Sequence, residues 1–229
     1  MAQQKEQELE TLKERLLKMG SLVEEAIRKS VRALVDRDRD LALSVIDGDA
    51  VINTHDVEIE EECIRFLALW QPTGSNLRVV TTAIKIITDL ERMGDLAVDI
   101  CERAVELLDE PQLKPYIDIP RMAEASQKML KDSLDAFVNR DADLALKVCE
   151  ADDFVDNLNQ QIFNELLVYM LQDPKNISRA VRLTYIAKYL ERIADHATNI
   201  AEMVVFMVKG KMIRHMACEM KHQETGAEP

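Results

Sequence analysis

Glycine and proline are scarce, six of each in 229 residues, or about 5% against an average near 12%. Sandwiches and barrels spend these residues on a turn every ten positions or so, which argues against an all-β fold. A basic excess is also missing: 29 Lys and Arg stand against 42 Asp and Glu, a formal net charge of -13. Nucleic-acid binding through a basic face is thereby disfavoured, because phosphate contacts need clustered cations. The four cysteines (Cys63, Cys101, Cys149, Cys218) form no Cys-x-x-Cys pair and read as reduced thiols packed like small hydrophobes. Long apolar runs are lacking too. The longest in the C-terminal helical stretch is Met203–Val208, far short of the ~20 residues that span a bilayer. The first sixteen residues, MAQQKEQELETLKERL, are charged and hold no signal core. The expectation is a soluble cytoplasmic protein. Its 47% hydrophobic content suffices for a substantial core.

What is present is a repeat. Residues 37–45 read RDRDLALSV and 140–148 read RDADLALKV; residues 90–102 read LERMGDLAVDICE and 190–202 read LERIADHATNIAE. The offset shrinks from 103 to 100 across QPTGSN in the first copy and the shorter DPKN in the second, as an indel at a turn would produce. Apolar residues recur at helical spacing over about 5–36, 38–69 and 76–108, then over about 119–139, 141–171 and 175–209. Pro120 suits a first helical turn, with Asp118 as a plausible cap. The predicted fold is all-α, two tandem three-helix bundles related by an internal repeat. Residues 1–110 form the first, 118–209 the second, and 210–229 a short helix with a disordered tail.

The acidity is uneven. Residues 1–110 hold 14 basic and 24 acidic residues, a net of -10; residues 111–229 hold 15 and 18, a net of -3. At about 100° per residue, Ile87, Leu90, Gly94, Ala97, Cys101, Val105 and Leu108 form one apolar stripe of the third helix. Glu91, Asp95, Asp99 and Glu102 border it. The sixth helix repeats this, with Ala187, Leu190, Ala194, Ala197, Ala201 and Val205 beside Glu191, Asp195, Asn199 and Glu202. Acidic steps of the same spacing occur on the second and fifth helices, as Asp49 with Asn53 and Asp152 with Asp156.

A charge run is ordinarily a solvated helix face. A self-stabilising face, however, sets Glu against Lys at i,i+4. These helices set acid against acid, at matching positions in both copies. A hard cation between the stripes would turn that repulsion into binding energy.

The paired LERMGD and LERIAD segments, the twofold three-helix repeat and the length together resemble the PhoU family of phosphate-uptake regulators, over residues 5–210. The resemblance implies metal clusters on Glu/Asp-x-x-x-Asp motifs and a cytoplasmic, non-enzymatic negative regulator of phosphate uptake and of the phosphate-starvation response. Its partners would be the phosphate ABC transporter, through the ATPase subunit, and the phosphate-sensing histidine kinase. A homodimer is implied as well. Carried over by position, the ligands would be Glu91 with Asp95, Glu191 with Asp195, then Asp152, Asp156 and Asp49, with Asp99 and Asn199 as a second tier. Asn53 departs from the pattern, so the first cluster would hold fewer metals or lean on Asp99. The metal ions would be Fe, Mn, Mg or Zn, since carboxylates discriminate poorly among them.

Other residues read more plainly. Arg92 and Arg192 are expected to form surface ion pairs, His196 to face solvent, and Trp70 to plug a bundle end. His215, Cys218, Glu219 and His222 share one face if the tail is helical, either as an amphipathic tail or as a soft-metal site. Two alternatives remain for function. A ferritin-like di-iron enzyme needs two Glu-x-x-His motifs, and this chain has one, Glu219 to His222. The other alternative is a metal-free helical scaffold.

Overall fold

The computed structural model describes residues 2–210, and all elements there are helical: α1 (Ala2–Asp36), α2 (Arg39–Trp70), α3 (Gly74–Leu107), α4 (Asp118–Asn139), α5 (Ala142–Gln172) and α6 (Ile177–Lys209), with a 3-10 turn at Pro174–Asn176. The DPKN indel is that turn; Asp173 caps it by accepting from the Lys175 amide at 2.9 Å. The expected helix at 210–222, with His215, Cys218, Glu219 and His222, lies outside the described residues.

The repeated Arg-Asp-x-Asp segments are turns of one design. Arg37 (φ 56°) and Arg140 (φ 53°) take the left-handed conformation that ends α1 and α4, a position usually given to Gly or Asn. The next residue starts the following helix. Asp38 accepts from the Leu41 amide at 2.9 Å, and Asp141 accepts from the Asp143 and Leu144 amides at 3.0 and 2.9 Å. Each satisfies amides that no helical carbonyl can reach. Asp141→Ala is accordingly expected to cost about 1 kcal/mol, read as a lower urea midpoint at unchanged slope. Arg37 also turns its guanidinium onto the end of α3, donating to the Leu108 and Glu110 carbonyls at 2.7 and 2.8 Å.

Asp118 is not the cap expected of it. It is the first residue of α4, buried, and its carboxylate accepts from Arg121 at 2.8 Å and Gln161 at 3.0 Å. Trp70 is half-buried against the core at the end of α2, and its Nε1 donates to Glu8 at 2.7 Å. It closes the bundle end as expected.

The two repeats share one core. A single contiguous cluster runs from Leu9 on α1 to Met207 on α6, because α3 packs along α6 and α1 along α4. Gly20 permits the second approach: a Cβ there would fall 2.2 Å from the Leu134 Cδ1. Polar groups tie the α3–α6 seam at both ends. Arg78 donates to the Met207 carbonyl at 2.9 Å, and Arg182 donates to Glu106 at 2.8 Å and Glu110 at 3.2 Å. Cys63 and Cys101 are buried and Cys149 is half-buried. Burial pushes the first two thiols up to about 12 and Cys149 up to about 11, so they pack as inert side chains.

Candidate metal centre

In each repeat the helices that carry the acidic stripes pack together, α2 against α3 and α5 against α6. The apolar stripe beside them is buried as the periodicity predicts: Ile87, Leu90, Gly94, Ala97 and Cys101 on α3, and Ala187, Leu190, Ala194, Ala197, Ala201 and Val205 on α6. Val105 and Leu108, at the end of the first stripe, are half-buried.

In the first repeat Asp49 of α2 lies against Gly94 of α3. A Cβ on Gly94 would sit 3.2 Å from the Asp49 Oδ1 and 3.2 Å from the Ile52 Cδ1, so the glycine lets the carboxylate approach. Asp49 Oδ2 accepts from the Asn53 amide at 2.8 Å, whereas its Oδ1 is buried without a hydrogen-bond partner. Burial raises the Asp49 pKa, with Asp95 adding to it. Glu91 is raised by burial and by Asp95, Asp56 and Asp49, against Arg92. Arg92 is exposed and stands 3.4 Å from Glu91 and 3.2 Å from Asp95. It is the surface ion pair expected, worth little by itself.

The second repeat repeats the arrangement with more charge. Asp152 Oδ1 is buried and without a hydrogen-bond partner. Its pKa is pushed up to about 6 by burial and then by Asp156, Asp195, Asp153 and Glu191. Asp195 is raised by burial and Glu191, against Lys188. Lys188 forms an ion pair with Glu191. Asp156, Asp195 and Glu191 all act on Asp152, and Glu191 and Asp156 on Asp195, so the four carboxylates lie within electrostatic reach of one another.

Sequence spacing missed Asp56. It is half-buried, raised by burial and by Glu60, and is felt by Glu91. It lies seven residues from Asp49 on the same helix face. Its counterpart in α5 is Asn159, just as Asn53 is the counterpart of Asp156. Each repeat therefore keeps two aspartates on this face and exchanges one position for asparagine, so Asn53 does not leave the first centre short of acid.

Asp99 is raised by burial and by Glu102 and Asp95, and is eased by Arg103 and by Arg192 of α6; Asn199 is exposed. His196 departs from its expected solvent position. Its ring is 19% exposed and its Nδ1 lies 2.7 Å from the Asp89 Oδ1 on α3, so it stitches the two repeats together.

A model of the PhoU domain matches this chain twice, over residues 16–104 and 119–204. The chain belongs to the PhoU family. A relative from Aquifex aeolicus named "Phosphate-specific transport system accessory protein PhoU homolog" is 46% identical over 93% of this chain and 97% of its own. One from Pseudomonas aeruginosa is 40% identical over 98% and 93%, and Escherichia coli PhoU is 35% identical over 91% and 87%. Among solved structures, PhoU from Pseudomonas aeruginosa superposes with a TM-score of 0.86 at 42% identity, covering 90% of this chain and 99% of that one. The phosphate transport system regulatory protein PhoU from Streptococcus pneumoniae superposes at 0.85 and 33%, covering 91% and 98%. Both PhoU matches contain a candidate centre, Asp49 to Asp95 in one and Asp152 to Asp195 in the other.

The raised pKa of Asp152 has a measurable consequence. Between pH about 4 and about 6 the folded chain binds more protons at this residue than the unfolded chain, so stability falls as pH rises through that window. In chelator, Asp152→Asn is expected to remove that fall and leave the variant more stable at pH 7 by about 1 kcal/mol, the solvent-screened part discounted. Urea midpoints of the two chains at pH 4, 5, 6 and 7 check this.

Proposed function

We propose that this chain is a non-enzymatic regulatory adaptor of phosphate-specific transport. It restrains uptake by the phosphate ABC transporter through the ATPase subunit, and it holds down the phosphate-starvation response through the sensor histidine kinase, acting in the cytoplasm as a homodimer. The observation that carries this is the double PhoU-domain match in a chain whose relatives are named accessory proteins of that transport system. It agrees with a chain in which no helix of the described residues is long and apolar enough to cross a membrane.

Metal ions belong to the proposal. The donor set is hard oxygen, the Asp49 Oδ1 and the Asp152 Oδ1 are buried without a hydrogen-bond partner, and neighbouring acids help raise the pKa of Asp49, Glu91, Asp152 and Asp195. These features fit Mg, Mn or Fe better than soft-ligand metals such as Cu(I). Among the described residues no three His, Cys, Asp or Glu side chains converge as a ready metal cage, so occupancy requires side-chain rotation within each centre. Glu91, Asp95, Asp49 and Asp56 would hold the ion in the first repeat, and Glu191, Asp195, Asp152 and Asp156 in the second. Asp99 and Asn199 stay peripheral. A bound cation would supply charge neutralisation and stiffen the α2–α3 and α5–α6 faces.

The test is made in cells. Removing the chain is expected to leave phosphate uptake and the starvation response active at high phosphate, and restoring it is expected to repress both. Unchanged repression without the chain would overturn the proposal.

A further inference from the structure

The acidic groove of the second repeat continues into an exposed apolar ladder. Asp152 and Asp156 share a face of α5 with Phe163, Leu167 and Leu171, within about 100° of arc. Glu191 and Asp195 share a face of α6 with Ile177, Val181 and Tyr185, within about 120°. The two helices run antiparallel from the 3-10 turn, with Asn176 donating to the Tyr169 carbonyl at 3.0 Å and Lys209 lying 4.0 Å from Asp143 at the far end. That register sets Phe163 level with Tyr185, Leu167 with Val181, and Leu171 with Ile177. All six are exposed, Leu171 at 78%, and Tyr185 is stacked on Tyr189 with centroids 6.3 Å apart.

The first repeat lacks this ladder. Its matching positions are Glu60, Ile64 and Ala68 on α2 and Leu77, Thr81 and Lys85 on α3, an ordinary mixed surface. Two copies of one unit thus bury the same inner positions and differ on this outer face. Folding requires no such difference, because the core behind both faces is closed. Six neighbouring apolar side chains left in water mark a contact surface.

We propose that, while the second centre is metal-free, this α5–α6 face docks an amphipathic helix of a partner protein, its apolar stripe on the ladder and its basic end over Asp152, Asp156, Glu191 and Asp195. Charge selects this occupant. Apolar anchors at i, i+4 and i+8 fit a helix laid along a helical hairpin, and a groove end where the acids outnumber Lys188 and Arg192, the cations on the same arc of α6, favours cations at that end of the incoming helix. Leu171 to Asp152 spans about 28 Å, the length of a helix of about 19 residues. A second copy meeting this face with its own would bring a second set of the same acids, and an anionic lipid surface would be repelled by them. The proposal rests on the adaptor function and names the surface through which it would act.

The probe is a fluorescein-labelled synthetic helix of about 19 residues, with leucines at the ladder's spacing and arginines at one end. Its anisotropy is followed on the full chain in chelator. Wild type is expected to bind at least tenfold more tightly than Leu167→Glu with Val181→Glu, both exposed positions whose variant is checked by melting. Ile64→Glu, the counterpart of Leu167, is expected to bind like wild type. A peptide with glutamates in place of arginines is expected to bind at least tenfold more weakly, the gap narrowing in high salt. Equal binding by wild type and the double variant overturns the proposal. So does a dimer that light scattering detects and the double variant dissolves, since the occupant would then be a second copy. If the transporter ATPase subunit binds both chains alike, this face is wrong and the adaptor function stands. If neither the subunit nor the kinase binds while the peptide discriminates as stated, the face stands and the adaptor function fails.

Discussion

Leu190→Ala is expected to lower the unfolding free energy by about 2–5 kcal/mol, the cost of deleting a fully buried leucine and leaving a cavity. Leu190 is 0% exposed at the middle of α6, and its carbonyl accepts from Ser126 of α4 at 3.1 Å. The informative readout lies in the other repeat. Trp70, the only tryptophan, closes α2 against Glu8 of α1. One contiguous core joins the repeats, so Trp70 fluorescence and helical circular dichroism should report a single transition, shifted equally by the substitution. Two transitions, with Trp70 unmoved by a cavity at Leu190, would mean that the repeats fold separately.

The second large effect is metal-dependent and reverses sign. In chelator the acids of each centre repel one another, so Asp195→Asn should match or exceed wild type in stability. With manganese or magnesium added, wild type should gain about 2.7 kcal/mol for each occupied centre at a hundredfold excess over the dissociation constant. A chain carrying Asp95→Asn and Asp195→Asn should gain little. Thermal melts of the two chains, with and without metal, separate the cases. A wild type that gains nothing from either metal contradicts the metal centres.

Much of the fold is legible in the sequence because the repeat is local. Arg37-Asp38 and Arg140-Asp141 each encode a left-handed residue followed by a cap, and the duplicated LER-x-x-D segments place the acids beside the buried stripe. What escapes is what depends on neighbours. His196 falls off the acidic stripe on a single-helix wheel, and nothing in that wheel shows that α3 will lie against it and offer Asp89. Asp56 escapes because matching positions between repeats points to Asn53, while the two copies exchange which of the two sites carries acid. The shared core is invisible to periodicity for the same reason: each helix announces an apolar face, and only packing decides whose face it meets. Gly20 is a small residue within a helix until Leu134 is seen against it. Asp118 looks like a cap because of Pro120, but Arg121 and Gln161 draw its carboxylate to their side.

The central claim is that this chain acts by binding the phosphate transporter's ATPase subunit. Isothermal titration of the purified subunit into the full-length chain in chelator tests it directly. The account predicts saturable binding in the micromolar range or tighter, weakened by Leu167→Glu with Val181→Glu. An absence of heat in the titration, together with no co-elution of the two proteins on size exclusion at the same concentrations, would contradict it.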